Sequence, residues 1–210
     1  MKKEVLIKQF RYKDLTFDTH PEVYDPAEDT YLLLDSIDVS ENMYVLEIGT
    51  GCGIISLYFA SQGANIICSD INPYAIELVK KNYLQNMNNL KGSIQIRQGD
   101  LFSVVDSKEL FDIIIFNPPY LPTKKEDLTG GLGWFDKAVS GGIDGLQQTK
   151  RYIKELGNYL KPKGCAYFIY SNLSDKGKLE GFIKKNKLVF SIVNSKKFLD
   201  ERLDVYKIKK

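Results

Sequence analysis

The segment Tyr44-Val-Leu-Glu-Ile48 runs directly into Gly49-Thr-Gly-Cys-Gly53, and an apolar helical pattern opens at Ile54. A short apolar strand that empties into closely spaced glycines and reopens as a helix points to an α/β arrangement. The glycines let the backbone turn sharply and leave its N–H groups open to a ligand at the helix start. Such a turn alone is as compatible with a structural role as with a binding one, so its neighbours decide. Residues 65–69 read as a second strand ending at Asp70, and residues 94–98 as a third closing at Asp100. Three strands thus deliver polar ends to one edge, the ligand edge of open α/β sheets.

The rest of the chain keeps the same alternation. Residues 4–10 read as a short strand and residues 15–24 as a turn-rich connection. Asp25-Pro-Ala-Glu28 predicts a helix start, with Asp25 as cap, Pro26 at the first helical position and Glu28 completing a capping box. Ala27, Tyr31, Leu34 and Ile37 then line one face. Asn72-Pro73 caps a further helix on which Ile76, Val79, Tyr83 and Leu84 share a face. Residues 111–116 form a fully apolar strand that stops at Asn117-Pro118-Pro119-Tyr120. Residues 121–145 are glycine-rich and irregular, a length that inside a domain marks function or mobility. A helix over 146–160, a strand over 164–171, a helix over 175–186 and a closing strand pair over 188–194 and 203–208 complete the pattern. The 210 residues fit one domain with a mostly parallel sheet, residues 1–40 being a strand and helix extension packed on it.

Composition removes several alternatives. Lys and Arg (29) nearly balance Asp and Glu (27), a net charge of +2, so a whole-chain nucleic-acid footprint is absent. Cys52, Cys68 and Cys165 are dispersed, which argues against a disulfide framework or zinc knuckle and fits a reducing, cytoplasmic compartment. No apolar run reaches membrane-spanning length, and a single histidine, His20, leaves no metal site to expect.

The carboxylates identify the ligand class. Asp70 stands where an acid can accept two hydrogen bonds from a ribose diol. A pyrophosphate in the glycine turn would be opposed by Glu47, which sits inside an otherwise apolar strand. That acid suits a ligand without phosphates that carries positive charge. S-adenosylmethionine, with its sulfonium and ammonium, is such a ligand.

Asn117-Pro118-Pro119-Tyr120 supplies the other half. A planar amino or amide nitrogen has a delocalised lone pair and attacks poorly. The Asn117 side-chain oxygen and the Pro118 carbonyl can accept its two N–H groups and stabilise charge as it develops. Tyr120 offers a flat face to the planar group. The motif in this setting predicts methyl transfer to nitrogen, with Asn117, Pro118 and Tyr120 as the catalytic set.

The Glu-Ile-Gly-Thr-Gly-Cys-Gly turn, Asp70-Ile-Asn-Pro and Asn-Pro-Pro-Tyr, in that order, resemble class I methyltransferases of the HemK group. Tyr24-Asp-Pro-Ala-Glu-Asp-Thr30 and Ser140-Gly-Gly-Ile-Asp-Gly145 narrow the resemblance to its archaeal and eukaryotic branch. That likeness implies a Rossmann-like, seven-stranded, mostly parallel sheet with helices on both faces. It implies contacts to S-adenosylmethionine from Thr30, Glu47, Gly49, Gly51, Gly53, Asp70, Ile71, Asp100, Leu101 and Asn117, the last also meeting the substrate amide. It further implies the glutamine of the Gly-Gly-Gln motif in class I translation release factors as substrate, and a small zinc-ribbon activator subunit as heterodimer partner. Three other readings stay open at this point: methylation of an exocyclic base amine or of lysine, a non-catalytic cofactor-binding scaffold, and a nicotinamide-linked dehydrogenase.

Overall fold

The computed structural model describes residues 8–124 and 133–210. Nine strands and six helices occur there: β1 (Gln9–Tyr12), β2 (Leu15–Asp18), α1 (Glu28–Leu34), β3 (Tyr44–Ile48), α2 (Ile54–Ser61), β4 (Asn65–Asp70), α3 (Pro73–Asn86), β5 (Ile94–Gln98), β6 (Phe111–Phe116), α4 (Trp134–Val139), α5 (Gln147–Leu156), β7 (Leu160–Ser171), α6 (Lys176–Lys185), β8 (Val189–Lys197) and β9 (Arg202–Lys209). Seven strands make one sheet in the order β5-β4-β3-β6-β7-β9-β8. The first five run parallel, and β9 is antiparallel to both of its neighbours, β7 and β8.

Strand residues alternate between two apolar layers, one on each face of the sheet. Val45, Ile113 and Ile115 join the layer that includes α2 and α3, while Leu46, Ile48, Ile114 and Phe116 join the layer that includes α5 and α6. A strand covered on both faces must be apolar throughout, and β6 (Phe-Asp-Ile-Ile-Ile-Phe) reads that way except for Asp112. Asp112 sits near the start of β6, where Lys161 pairs with it at 2.7 Å.

Several expectations shift. β2 turns residues 15–18 of the supposed connection into the second strand of a hairpin with β1; residues 4–7 lie outside the described residues. The hairpin is held by buried amides on α3. Asn82 accepts from Asp18 N–H (2.9 Å) and donates to the Asp18 carbonyl (3.2 Å), and Asn86 does the same for Thr16 (2.9 and 2.7 Å). The two amides give β2 the hydrogen bonds that a further strand would have given. Leu84, expected on the buried face of α3, is exposed; the helix spends its inward positions on Asn82 and Asn86 instead.

Helix α1 begins later than its Asp-Pro-Ala-Glu start signal predicted. Ala27 is the N-cap, with no side-chain cap, and the helix ends at Leu34. The buried residues of the helix are Asp29, Thr30, Leu32, Leu33 and Leu34; Ala27 and Tyr31 are only half-buried, and Ile37 lies beyond its end. The helix expected over 146–160 stops at Leu156, and β7 takes over at Leu160.

Candidate active site

The sheet order reverses at β3, since β4 lies to one side of it and β6 to the other. Open α/β sheets bind ligands beyond the carboxyl ends of strands at such a switch point. Here Ile48 pairs with Phe116, so the glycine turn and Asn117 leave the sheet side by side. A cavity of about 570 Å³ opens over these strand ends, within the usual range for small-molecule sites. Thr30, Glu47, Gly49, Gly51, Asp70, Ile71, Asp100, Leu101, Asn117, Pro118 and Tyr120 all line it.

Gly53 does not. It caps α2 at φ +85°, and a Cβ there would stand 2.4 Å from Val79 Cγ2. The glycine is required by packing against α3, not by access to the ligand.

Glu47 is buried below the turn. Its Oε2 accepts from Thr50 Oγ1 (2.8 Å), Ser56 N–H (3.1 Å) and Ser56 Oγ. Burial nevertheless pushes its carboxyl up to about 7, because the three donors do not replace the lost water. A cation in the cavity would favour the ionised form.

Asp70 ends β4 with both oxygens held by the backbone, Oδ2 by Gly51 N–H (3.0 Å) and Oδ1 by Asn72 N–H (2.9 Å). Burial still raises its carboxyl above the ordinary aspartate range. Asp100 differs, because its carboxylate is gripped by Arg151 at 2.6 and 3.2 Å. Leu101 follows in the left-handed region at φ +47°, a strained conformation for a branched side chain.

The acceptor side is organised by a residue that sequence reasoning did not single out. Asp29 is buried (3% exposed) at the cavity wall. Its Oδ2 accepts from Asn117 Nδ2 (3.1 Å) and from the Tyr120 hydroxyl (3.2 Å). Its Oδ1 accepts from Thr30 N–H (2.7 Å), and the Tyr24 hydroxyl lies at 3.3 Å. Burial first, then the Asp29 charge, raises both tyrosines well above the phenol range, so both remain donors. A carboxylate can only accept, so Asp29 fixes which end of the Asn117 amide faces it. Asn117 Oδ1 is then left buried without a partner, one of two such side-chain atoms among the described residues. Tyr120, expected as a flat packing face, donates its hydroxyl to Asp29. The signal for Asp29 was its place in Tyr24-Asp-Pro-Ala-Glu-Asp-Thr30, where the first four residues of the helix signal drew attention instead.

Of the irregular 121–145 stretch, residues 125–132 lie outside the described residues. Trp134 lines the cavity, while Phe135 packs towards Tyr24 and is exposed. The Trp134 N–H is anchored on Glu22 Oε2 (3.0 Å). Gly141 N–H donates to the Leu121 carbonyl and Thr123 N–H to the Gly142 carbonyl, both at 2.9 Å, so the Ser140–Gly145 motif pins the chain leaving Tyr120. Among the described residues no three His, Cys, Asp or Glu side chains are grouped to hold a metal, and no helix is long and apolar enough to cross a membrane.

These features agree with what the chain resembles. A family model described as methyltransferase small domain matches residues 14–140. A Methanocaldococcus jannaschii protein, provisionally named protein N5-glutamine methyltransferase MJ0928, is 43% identical over 82% of this chain and 83% of its own. Human methyltransferase HEMK2 is 28% identical over 90% of each chain. Among solved structures, the Mtq2-Trm112 complex of E. cuniculi, described as responsible for methylation of the eRF1 translation termination factor, contains a chain with the same fold. It superposes with a TM-score of 0.69 at 22% identity, covering 90% of this chain and 99% of that one. The chain belongs to the methyltransferase small domain family, in its HemK-type group, and is an enzyme that takes its methyl group from S-adenosylmethionine.

Proposed function

We propose that the chain methylates the side-chain amide nitrogen of the glutamine in the Gly-Gly-Gln motif of a class I translation release factor. The observation that carries this reading is Asn117, which lines the cavity with its Nδ2 held by Asp29 and its Oδ1 buried without a partner. A primary carboxamide brings two N–H groups in one plane, and Asn117 Oδ1 and the Pro118 carbonyl take one each. Both acceptors gain strength as the nitrogen becomes positive, so they favour the transition state over the ground state. Tyr24 and Tyr120 keep Asp29, and through it Asn117, from turning.

Bound S-adenosylmethionine supplies a methyl group on a sulfonium, activated for displacement. The residues of the cavity fit that molecule. In this reading Asp70 takes the ribose hydroxyls, and Asp100 with Leu101 takes the base. The glycine turn with Gly49 and Gly51 lets the ligand approach the backbone. Glu47 beneath it favours a cation, and Thr30 and Ile71 complete the walls. Gly53 serves the same site indirectly, by fixing α2 against α3.

The names of the M. jannaschii relative and of the E. cuniculi complex support the amide and the release factor as substrate. We further infer a small zinc-ribbon activator subunit bound as a heterodimer, a cytoplasmic location, and residues 1–210 acting as one domain with residues 1–40 as its extension.

The test is to incubate the chain and labelled S-adenosylmethionine with a class I release factor, with and without a zinc-ribbon partner, and to locate the label by mass spectrometry. One methyl group on the Gly-Gly-Gln glutamine is the expected result. Label found on RNA, DNA or lysine with none on that glutamine would overturn the reading.

A further inference from the structure

Arg151 stands on α5 and closes the end of the cavity at which β5 delivers Asp100. Its guanidinium makes two bonds to the Asp100 carboxylate, Nη1 to Oδ1 at 3.2 Å and Nη2 to Oδ2 at 2.6 Å. Nη1 also donates to Gln148 Oε1 at 2.8 Å, and Gln148 lines the same cavity. Asp100 N–H is held by Ser103 Oγ at 3.0 Å, so the backbone that carries the carboxylate is fixed as well.

The two partners are 46% and 43% exposed, and an ion pair this open adds little to stability. Geometry gives it another use. A two-point guanidinium–carboxylate pair fixes the plane of the acid and not only its position. Each carboxylate oxygen keeps a lone pair after accepting from Arg151. A flat heterocycle entering the cavity beside Leu101 therefore meets an acceptor whose orientation is already set. An exocyclic amino group can donate to it. A carbonyl at the same ring position would face the carboxylate with like partial charge and leave it unpaired.

We propose that Arg151 is a positioning residue for donor specificity: by fixing the Asp100 carboxylate it makes the site select a 6-aminopurine over a 6-oxopurine nucleoside. The inference rests on the assignment of this cavity to S-adenosylmethionine. It assigns Arg151 no contact with the methyl group or with the substrate amide, so its effect belongs to donor binding alone.

Calorimetric titration of the full chain with S-adenosylhomocysteine and with its 6-oxo counterpart, S-inosylhomocysteine, tests it without requiring turnover. Wild type is expected to prefer the adenosyl ligand by about tenfold or more, the effect of one hydrogen bond to a charged group. Arg151→Ala should weaken the adenosyl ligand about five- to tenfold and bring the two ligands to within about twofold of each other. Arg151→Lys restores the charge without the two-point grip, so it should recover part of the affinity and little of the preference. An unchanged thermal midpoint shows that both variants fold. A preference ratio that survives in Arg151→Ala makes the pair a surface contact and overturns the inference. Equal binding of both ligands by wild type overturns it too, with the donor assignment intact. Failure of wild type to bind either ligand removes the donor assignment itself, and the inference with it.

Discussion

Asn117 Nδ2 lies 3.1 Å from Asp29 Oδ2, and that contact determines which end of the Asn117 amide is committed to the carboxylate. The carboxylate accepts from the NH2 end and leaves Oδ1 unpaired, so the polarity of the Asn117 amide is set by a residue 88 positions earlier in the chain.

Asp29→Asn tests this relation. An asparagine at position 29 can accept or donate, so it no longer dictates how Asn117 is turned. We expect kcat to fall about 10- to 100-fold, with the donor dissociation constant within about threefold of wild type. Asn117→Ala should abolish measurable transfer with donor affinity similarly preserved. Near-normal turnover in Asn117→Ala would remove the amide clamp from the mechanism.

Glu47 gives a pH signature. Its folded carboxyl is pushed up from 4.5 to about 7, so the folded state holds a proton that the unfolded state has released. Stability owed to this group is therefore full below pH 4.5, declines as pH rises towards 7, and is flat above. The span amounts to about 3 kcal/mol at most. Glu47→Gln should flatten that slope in denaturant titrations at pH 5, 6, 7 and 8, and should leave the ligand-free protein more stable than wild type at pH 8. Donor affinity should run the other way, rising from pH 6 to 8 in wild type as Glu47 ionises. An S-adenosylmethionine affinity independent of pH over that range would detach Glu47 from the cation.

Gly53→Ala separates packing from binding. The new Cβ would enter within 2.4 Å of Val79 Cγ2 in a left-handed backbone. A loss of about 2–4 kcal/mol is expected in urea unfolding. Gly51→Ala meets nothing nearer than 3.8 Å and should cost less stability. Because Gly51 N–H also binds Asp70, its effect should appear mainly in donor affinity.

Asn82→Ala should be among the most damaging substitutions outside the cavity. It strands Asp18 N–H, the Asp18 carbonyl and the Cys52 carbonyl, which Asn82 Nδ2 meets at 2.8 Å. We expect about 2–4 kcal/mol of destabilisation by chemical denaturation. Donor affinity should also fall, since Cys52 belongs to the glycine turn. A variant as stable as wild type would show that the hairpin is not held by this amide.

The central strands were readable from the sequence because they are covered on both faces and are apolar apart from Glu47 and Asp112. Residues 44–48 and 111–116 coincide with β3 and β6. The acceptor motif and the three strand-end acids were readable because chemistry at a strand end needs particular residue types. What escaped depends on contacts between distant segments. Residues 15–18 are a strand only because Asn82 and Asn86 pair with them. The capping signal at Asp25-Pro-Ala-Glu28 is real in local terms, yet the helix begins where Asp29 can reach Asn117 and Tyr120, and that tertiary demand overrides the local preference. Nothing local sets Arg151 apart on α5, because its partner Asp100 lies 51 positions earlier in the chain.

The pairing of Ile48 with Phe116 carries one more consequence. Parallel neighbours in a sheet stand about 4.8 Å apart, a spacing fixed by main-chain hydrogen bonds and indifferent to side chains. Because the glycine turn and the Asn-Pro-Pro-Tyr motif leave from the two ends of one rung of that ladder, their separation is a property of the polypeptide backbone itself. Segments that select the incoming molecule can be rewritten around this pair without altering the gauge at which the two reacting groups meet.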